Sequence, residues 1–154
     1  KRLSERRWEI FQRDYLLTLR PTRGARSLVE RFHSDGLKLV IATSAGGREV
    51  GDLLDAAGVS DLFDKATSAS DAEDSKPDPD IVKAAVRKSG LSPDGLIMIG
   101  DTPYDVEAAT GANVRLVAVL CGGSTRDELA GAAASYDDPA DLLNWYDRNP
   151  RLFD

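Results

Sequence analysis

Residues 97–109 read "IMIGDTPYDVEAA". Together with Leu96 they place an apolar run and a glycine before Asp101, with a second carboxylate, Asp105, one helical turn further on. An apolar run of this length that stops at Gly-Asp is the pattern of a buried strand opening into a loop. Pro103 suits the first position of a following helix, and acids are favoured in a helix's first turn. Taken alone, Asp101 and Asp105 are satisfied by such a strand–loop–helix joint. The same pair is also the donor type that a divalent cation takes at a strand end. The neighbouring segments decide between the two readings.

The alternation seen here repeats along the chain. Trp8, Phe11, Tyr15 and Leu19 share one face of a helix over 4–19, and Leu28, Val29 and Phe32 share a face of the next, stopped by Gly36. "LKLVIAT" (37–43) reads as a buried strand, and Val50, Leu53, Leu54 and Ala57 line a helix closed by Gly58. A short strand is expected within "DKATS" (64–68). A helix over 79–89 should bury Ile81, Val82, Ala85 and Val86. After 96–100 and helix 103–110, "RLVAVL" (115–120) gives a third buried strand. Ser124 with Asp127 has capping-box spacing, "ASY" (134–136) is a last short strand, and "PADLLNWY" a last helix. Strands alternating with helices predict an α/β fold, a mainly parallel sheet covered on both faces.

Length and composition bound what such a domain does. The 154 residues suit one domain, with 42% hydrophobic and 30% charged residues. Lys plus Arg number 20 against 26 Asp plus Glu, a net charge of −6, which argues against nucleic acid as a partner. Cys121 is the single cysteine, so no internal disulfide forms and a reducing, cytoplasmic setting is expected. No apolar run is long enough to span a membrane.

In parallel α/β sheets, ligands bind beyond the carboxyl ends of the strands. Those ends carry Thr43 and Ser44, then Asp101, then Cys121-Gly122-Gly123. The loop after the weak strand, "DSKPDPD", adds Lys76. A hydroxyl, an ammonium and a carboxylate on one rim can hold a phosphoryl group beside a cation. The hydroxyl donates to a phosphoryl oxygen, the lysine offsets charge, and the aspartate takes the metal.

At this point the sequence resembles the haloacid dehalogenase superfamily, in its phosphatase branch of the phosphoglycolate phosphatase type. "LVIATSA" is similar to the family's second motif, "SKPDPDIV" to its third and "IMIGDTPYDVEAA" to its fourth, in the family's order over residues 21–146. The resemblance implies a Rossmann-like three-layer α/β/α core and hydrolysis of a small phosphorylated metabolite through an aspartyl-phosphate. It implies that Thr43 and Lys76 bind the phosphoryl group with Ser44 near the substrate, and that Asp101 ligates Mg²⁺ with Asp105 acting behind it. Retention of Asp101 favours phosphate-ester over carbon–halogen chemistry. The interval between Thr43 and Lys76 is too short for an inserted cap, so residues 1–20 are expected to be the last helix of a helical cap and 21–154 the core. The family's D-x-D-x-[TV] motif, which carries the nucleophile, is absent and is expected upstream of Lys1. Without that strand the isolated chain is expected to be inactive and prone to dimerise through unpaired edges.

Other residues read as structural. His33 lies near a helix C-terminus, Cys121 reads as a buried strand-end thiol, "CGG" as a turn, and Trp8, Phe11 and Tyr15 as packing. Three further functions compete. A phosphomutase shares every visible motif, a signalling receiver places its acids before Thr and Lys rather than after, and a non-catalytic phosphate-binding or scaffold module would need no nucleophile.

Overall fold

The structure, a computed structural model, describes residues 2–43, 45, 47–63, 66–67 and 80–149. In chain order the elements are α1 (Arg2–Asp14), α2 (Ala25–Ser34), β1 (Ile41–Ala42), α3 (Gly47–Ala56), β2 (Ala66–Thr67), α4 (Asp80–Ser89), β3 (Ile97–Gly100), α5 (Pro103–Gly111), β4 (Arg115–Val119), β5 (Ala134–Tyr136) and α6 (Pro139–Arg148). All ladders are parallel: β1 pairs with β2, and β3–β4–β5 form a second set with Gly100 opposite Ala118 and Val119 opposite Tyr136. The expected α/β class and mainly parallel sheet are therefore observed.

Two apolar clusters tie the ladders into one layer. On one face Leu28 and Phe32 of α2 meet Leu142 and Tyr146 of α6, with Leu39 and Ile97 packed against them. On the other, Ile81 and Val82 of α4 meet Ala108 and Ala112, with Ala42 and Met98 against them. Each helix layer thus covers residues of both the β1 region and β3. The central β4 is buried on both faces from Leu116 to Val119, as its unbroken apolar run requires. Tyr146 meets Phe32 edge-on at 5.0 Å, and its hydroxyl donates to Asp35 at 2.7 Å, so a buried ring keeps a polar partner. Leu142 is fully buried at this junction, and truncating it to alanine should cost about 2–5 kcal/mol.

The observed elements depart from the expectations in five places. The strand expected over 37–43 contributes ladder pairs at Ile41 and Ala42 alone, because among the described residues no strand pairs with its other edge. β3 has the same open edge, and Ile99, expected to be buried, is 39% exposed. The helix expected over 4–19 ends at Asp14 and gives way to a 3₁₀ turn at Leu16–Thr18, leaving Tyr15 exposed. Trp8 and Phe11 still stack at 5.2 Å, and α1 leans on α3 through Gln12 donating to Asp52 at 2.8 Å. In α4 it is Ala84 rather than Ala85 that is buried, since Ala84 falls beside Ile81 on the inward face. The capping box after β4 is formed one residue later than expected. Thr125 N–H and Oγ–H donate to Glu128 Oε2 at 2.7 and 2.8 Å, in a turn that does not extend into a helix.

Candidate active site

Three strand ends carry the site. β1 delivers Thr43, β3 delivers Asp101, and β4 delivers the turn Leu120–Gly122. β3 and β4 are adjacent and parallel, so their carboxyl ends lie on the same rim.

Asp101 is held from behind. The Asp105 side chain, 4% exposed, accepts through Oδ2 from Asp101 N–H at 3.1 Å, from Thr102 N–H at 3.1 Å and from Thr102 Oγ–H at 2.8 Å. In return Asp105 N–H donates to Thr102 Oγ1 at 3.2 Å. Thr102 is thus the N-cap of α5, Pro103 its first residue and Asp105 its third, the partner of Thr102 in a capping box. The helix-acid reading of this spacing is realised at Asp105, while Asp101 lies ahead of the helix, at the strand end. Through Oδ2, Asp105 braces the loop that presents Asp101.

The glycines around these carboxylates are spatial requirements. A Cβ on Gly100 would lie 2.6 Å from Asp105 Cβ. A Cβ on Gly122 would overlap Asp101 Oδ2 and lie 2.5 Å from its Cγ. Reading "CGG" as a turn does not foresee this contact. The available signal was a second glycine at a strand end on the rim already singled out. Cys121, expected to be buried, is exposed, because it sits on the 3₁₀ turn after β4 rather than within the strand. Desolvation, and after it the charge of Asp101, push its thiol above the ordinary range, the opposite of what an activated nucleophile needs.

Thr43 is half-buried just past β1, and its Oγ1 accepts from Ala45 N–H at 3.2 Å. With the oxygen engaged as acceptor, the hydroxyl proton is the group it can offer to a phosphoryl oxygen. Ser44 and Lys76, the other two residues expected here, lie outside the described residues.

The donors fit magnesium. Among the described residues no group of three or more His, Cys, Asp or Glu could form a closed cage. A single strand-end carboxylate, braced by a buried one and confined by a glycine, suits an ion that takes one or two carboxylates and completes its shell with water and phosphate.

Comparison with known proteins gives the family of this fold. Residues 4–119 match the model of the haloacid dehalogenase-like hydrolase family, and the chain belongs to that family. It is 32% identical over 124 residues to a phosphoglycolate phosphatase of Rhodospirillum rubrum, covering 79% of this chain and 51% of that protein. A crystal structure of a hydrolase from Pseudomonas syringae superposes with a TM-score of 0.88 at 35% identity, covering 96% of this chain and 70% of that one. A putative β-phosphoglucomutase from Thermotoga maritima superposes with a TM-score of 0.74 at 27% identity, covering 82% and 60%. The chain spans about half the length of the phosphoglycolate phosphatase it matches. No helix among the described residues is long and apolar enough to cross a membrane.

Proposed function

We propose that this chain is the phosphate- and cation-binding part of a Mg²⁺-dependent phosphohydrolase that acts on a small phosphorylated metabolite. The observation that carries the reading is Asp101, set at a strand end and restrained by Asp105 and Gly122. When bound, the cation supplies positive charge to the phosphoryl oxygens. Thr43 donates a hydrogen bond to one of those oxygens, with Ser44 close by, and Lys76 offsets the charge that builds up on them.

The nucleophile in this proposal is an aspartate from sequence upstream of Lys1. Its carboxylate oxygen bonds to phosphorus as the ester P–O bond breaks, and the departing alkoxide takes a proton from the second aspartate of the same upstream motif. That aspartate then takes a proton from the water that releases phosphate from the aspartyl-phosphate. A strand seated between the open edges of β1 and β3 would bring that aspartate in between Thr43 and Asp101. The two ladders share helix layers but no hydrogen bonds among the described residues, which supports this placement. Residues 1–20 are read as the last helix of a cap that shapes the substrate side. The likeness to a putative β-phosphoglucomutase favours a second reading, in which the phosphoryl group is passed to another hydroxyl instead of to water.

The test compares residues 1–154 with the same chain extended upstream, assaying phosphate release from a panel of small phosphomonoesters with Mg²⁺ or with chelator. The reading predicts Mg²⁺-dependent release by the extended protein alone. Robust release by residues 1–154 would falsify the upstream nucleophile. Isomerised sugar phosphate in place of free phosphate would favour the mutase.

A further inference from the structure

Gly122 and Gly123 follow β4 as a pair, yet the two glycines meet different demands. Gly123 has φ +95°, in the left-handed region where a side chain is strained, and its N–H donates to Leu120 O at 3.3 Å to close the 3₁₀ turn. That turn explains Gly123 completely. Gly122 is absent from the residues with positive φ, so its own backbone conformation admits any residue. What excludes a side chain there is Asp101. A Cβ at residue 122 would overlap Asp101 Oδ2 and stand 2.5 Å from Cγ and 2.8 Å from Cβ. The backbone at residue 122 therefore lies flush against the carboxylate.

The register explains how the contact arises. Gly100 is opposite Ala118, so the chain leaving β3 at Asp101 runs beside the last residue of β4. The 3₁₀ turn at Leu120–Gly122 then folds the β4 exit against that neighbour. Among the described residues, Asp101 meets two independent restraints: its N–H is held by Asp105 Oδ2, and its side chain is walled by Gly122. The first fixes the backbone that carries the carboxylate. The second limits the rotamers the carboxylate can take.

We propose that Gly122 is a positioning residue for Asp101, restricting the orientations of the carboxylate that would hold a divalent cation. The proposal rests on the reading of Asp101 as the cation-binding carboxylate. A side chain at residue 122 forces either the β4 turn or the Asp101 carboxylate to move, and either shift spoils a geometry that tolerates little error. Gly122 touches no cation itself and acts through Asp101.

Magnesium calorimetry on the full-length protein tests this, with wild type, Gly122→Ala and Asp101→Asn compared. Gly122→Ala is expected to weaken Mg²⁺ binding by about 10- to 100-fold, the range typical of residues that orient a metal ligand. Wild-type affinity in Gly122→Ala, alongside lost affinity in Asp101→Asn, overturns the proposal and leaves the cation reading standing. Wild-type affinity in Asp101→Asn removes the cation reading and the proposal with it. Thermal melting covers the case in which Gly122→Ala is poorly folded. Because the crowding comes from the Asp101 side chain, Asp101→Gly and the double variant Asp101→Gly/Gly122→Ala should melt together. If Gly122→Ala lowers the melting temperature as much without the Asp101 side chain as with it, the contact is not what excludes a side chain, and the proposal fails.

Discussion

The backbone of Gly100 lies against the side chain of Asp105: a Cβ at residue 100 would stand 2.6 Å from Asp105 Cβ, 2.9 Å from Cγ and 3.0 Å from Oδ2. This gives the Gly-Asp-x-x-x-Asp spacing a physical cause. Asp105 must reach back one helical turn to accept the N–H groups of Asp101 and Thr102, and its route passes over residue 100. Gly100→Ala should destabilise the fold by about 1–3 kcal/mol, the usual cost of overpacking a filled site. Urea unfolding measures it, and an unchanged midpoint would mean that the loop yields freely.

Cys121 is expected to behave as an unreactive thiol. Desolvation and the Asp101 charge both disfavour its thiolate, so alkylation by iodoacetamide at about pH 8 should be slower than that of a free cysteine. Asp101→Asn removes one of these causes and should lower the thiol pKa, speeding the reaction. A pH–rate profile of alkylation that is identical in the two proteins would place Cys121 out of reach of the Asp101 charge.

Much of this was legible in the sequence, and the exceptions are instructive. Helices α2, α3, α5 and α6 are announced by apolar faces and by glycine, proline or capping residues, all of them local signals. β4 is equally plain because its apolar run pairs along its whole length with β3 and β5. The run at 37–43 promised more strand than forms, since a ladder needs a partner, and no property of the run itself tells whether its neighbour is present. The site divided in the same way. The placement of Asp101 and Thr43 at strand ends was legible from the apolar runs before them. Gly122 was far less plain, because its contact with Asp101 joins residues 21 positions apart and only their shared rim hints at it.

Acid stability should depend on Asp35. The Tyr146 hydroxyl, followed by Arg31, holds the Asp35 carboxyl below its usual value of 3.8. A group with a lowered folded-state pKa contributes stability above its unfolded value and loses it as pH falls through the folded one. Asp35→Asn should therefore lower the urea midpoint at about pH 7 more than at about pH 2, giving a flatter acid limb. Equal losses at both pH values would show that the effect is packing rather than charge.

Lys76 carries a prediction of its own through the motif it occupies. In the full-length protein Lys76→Met should lower turnover of phosphomonoesters by about 10²-fold or more, since a preorganised charge at the reacting centre is typically worth several kcal/mol. Turnover within a few-fold of wild type would return Lys76 to the role of a solvated loop residue.

The central claim is that Asp101 holds the cation that makes phosphate-ester chemistry work in this protein. The most direct measurement is phosphate release by full-length wild type and Asp101→Asn across a Mg²⁺ titration. The substituted amide keeps the shape and most of the packing against Gly122 but has no negative charge to offer a cation. The account predicts that Asp101→Asn loses turnover by about 10²-fold or more and that added Mg²⁺ restores little of it. Full turnover at the wild-type Mg²⁺ requirement would contradict the account.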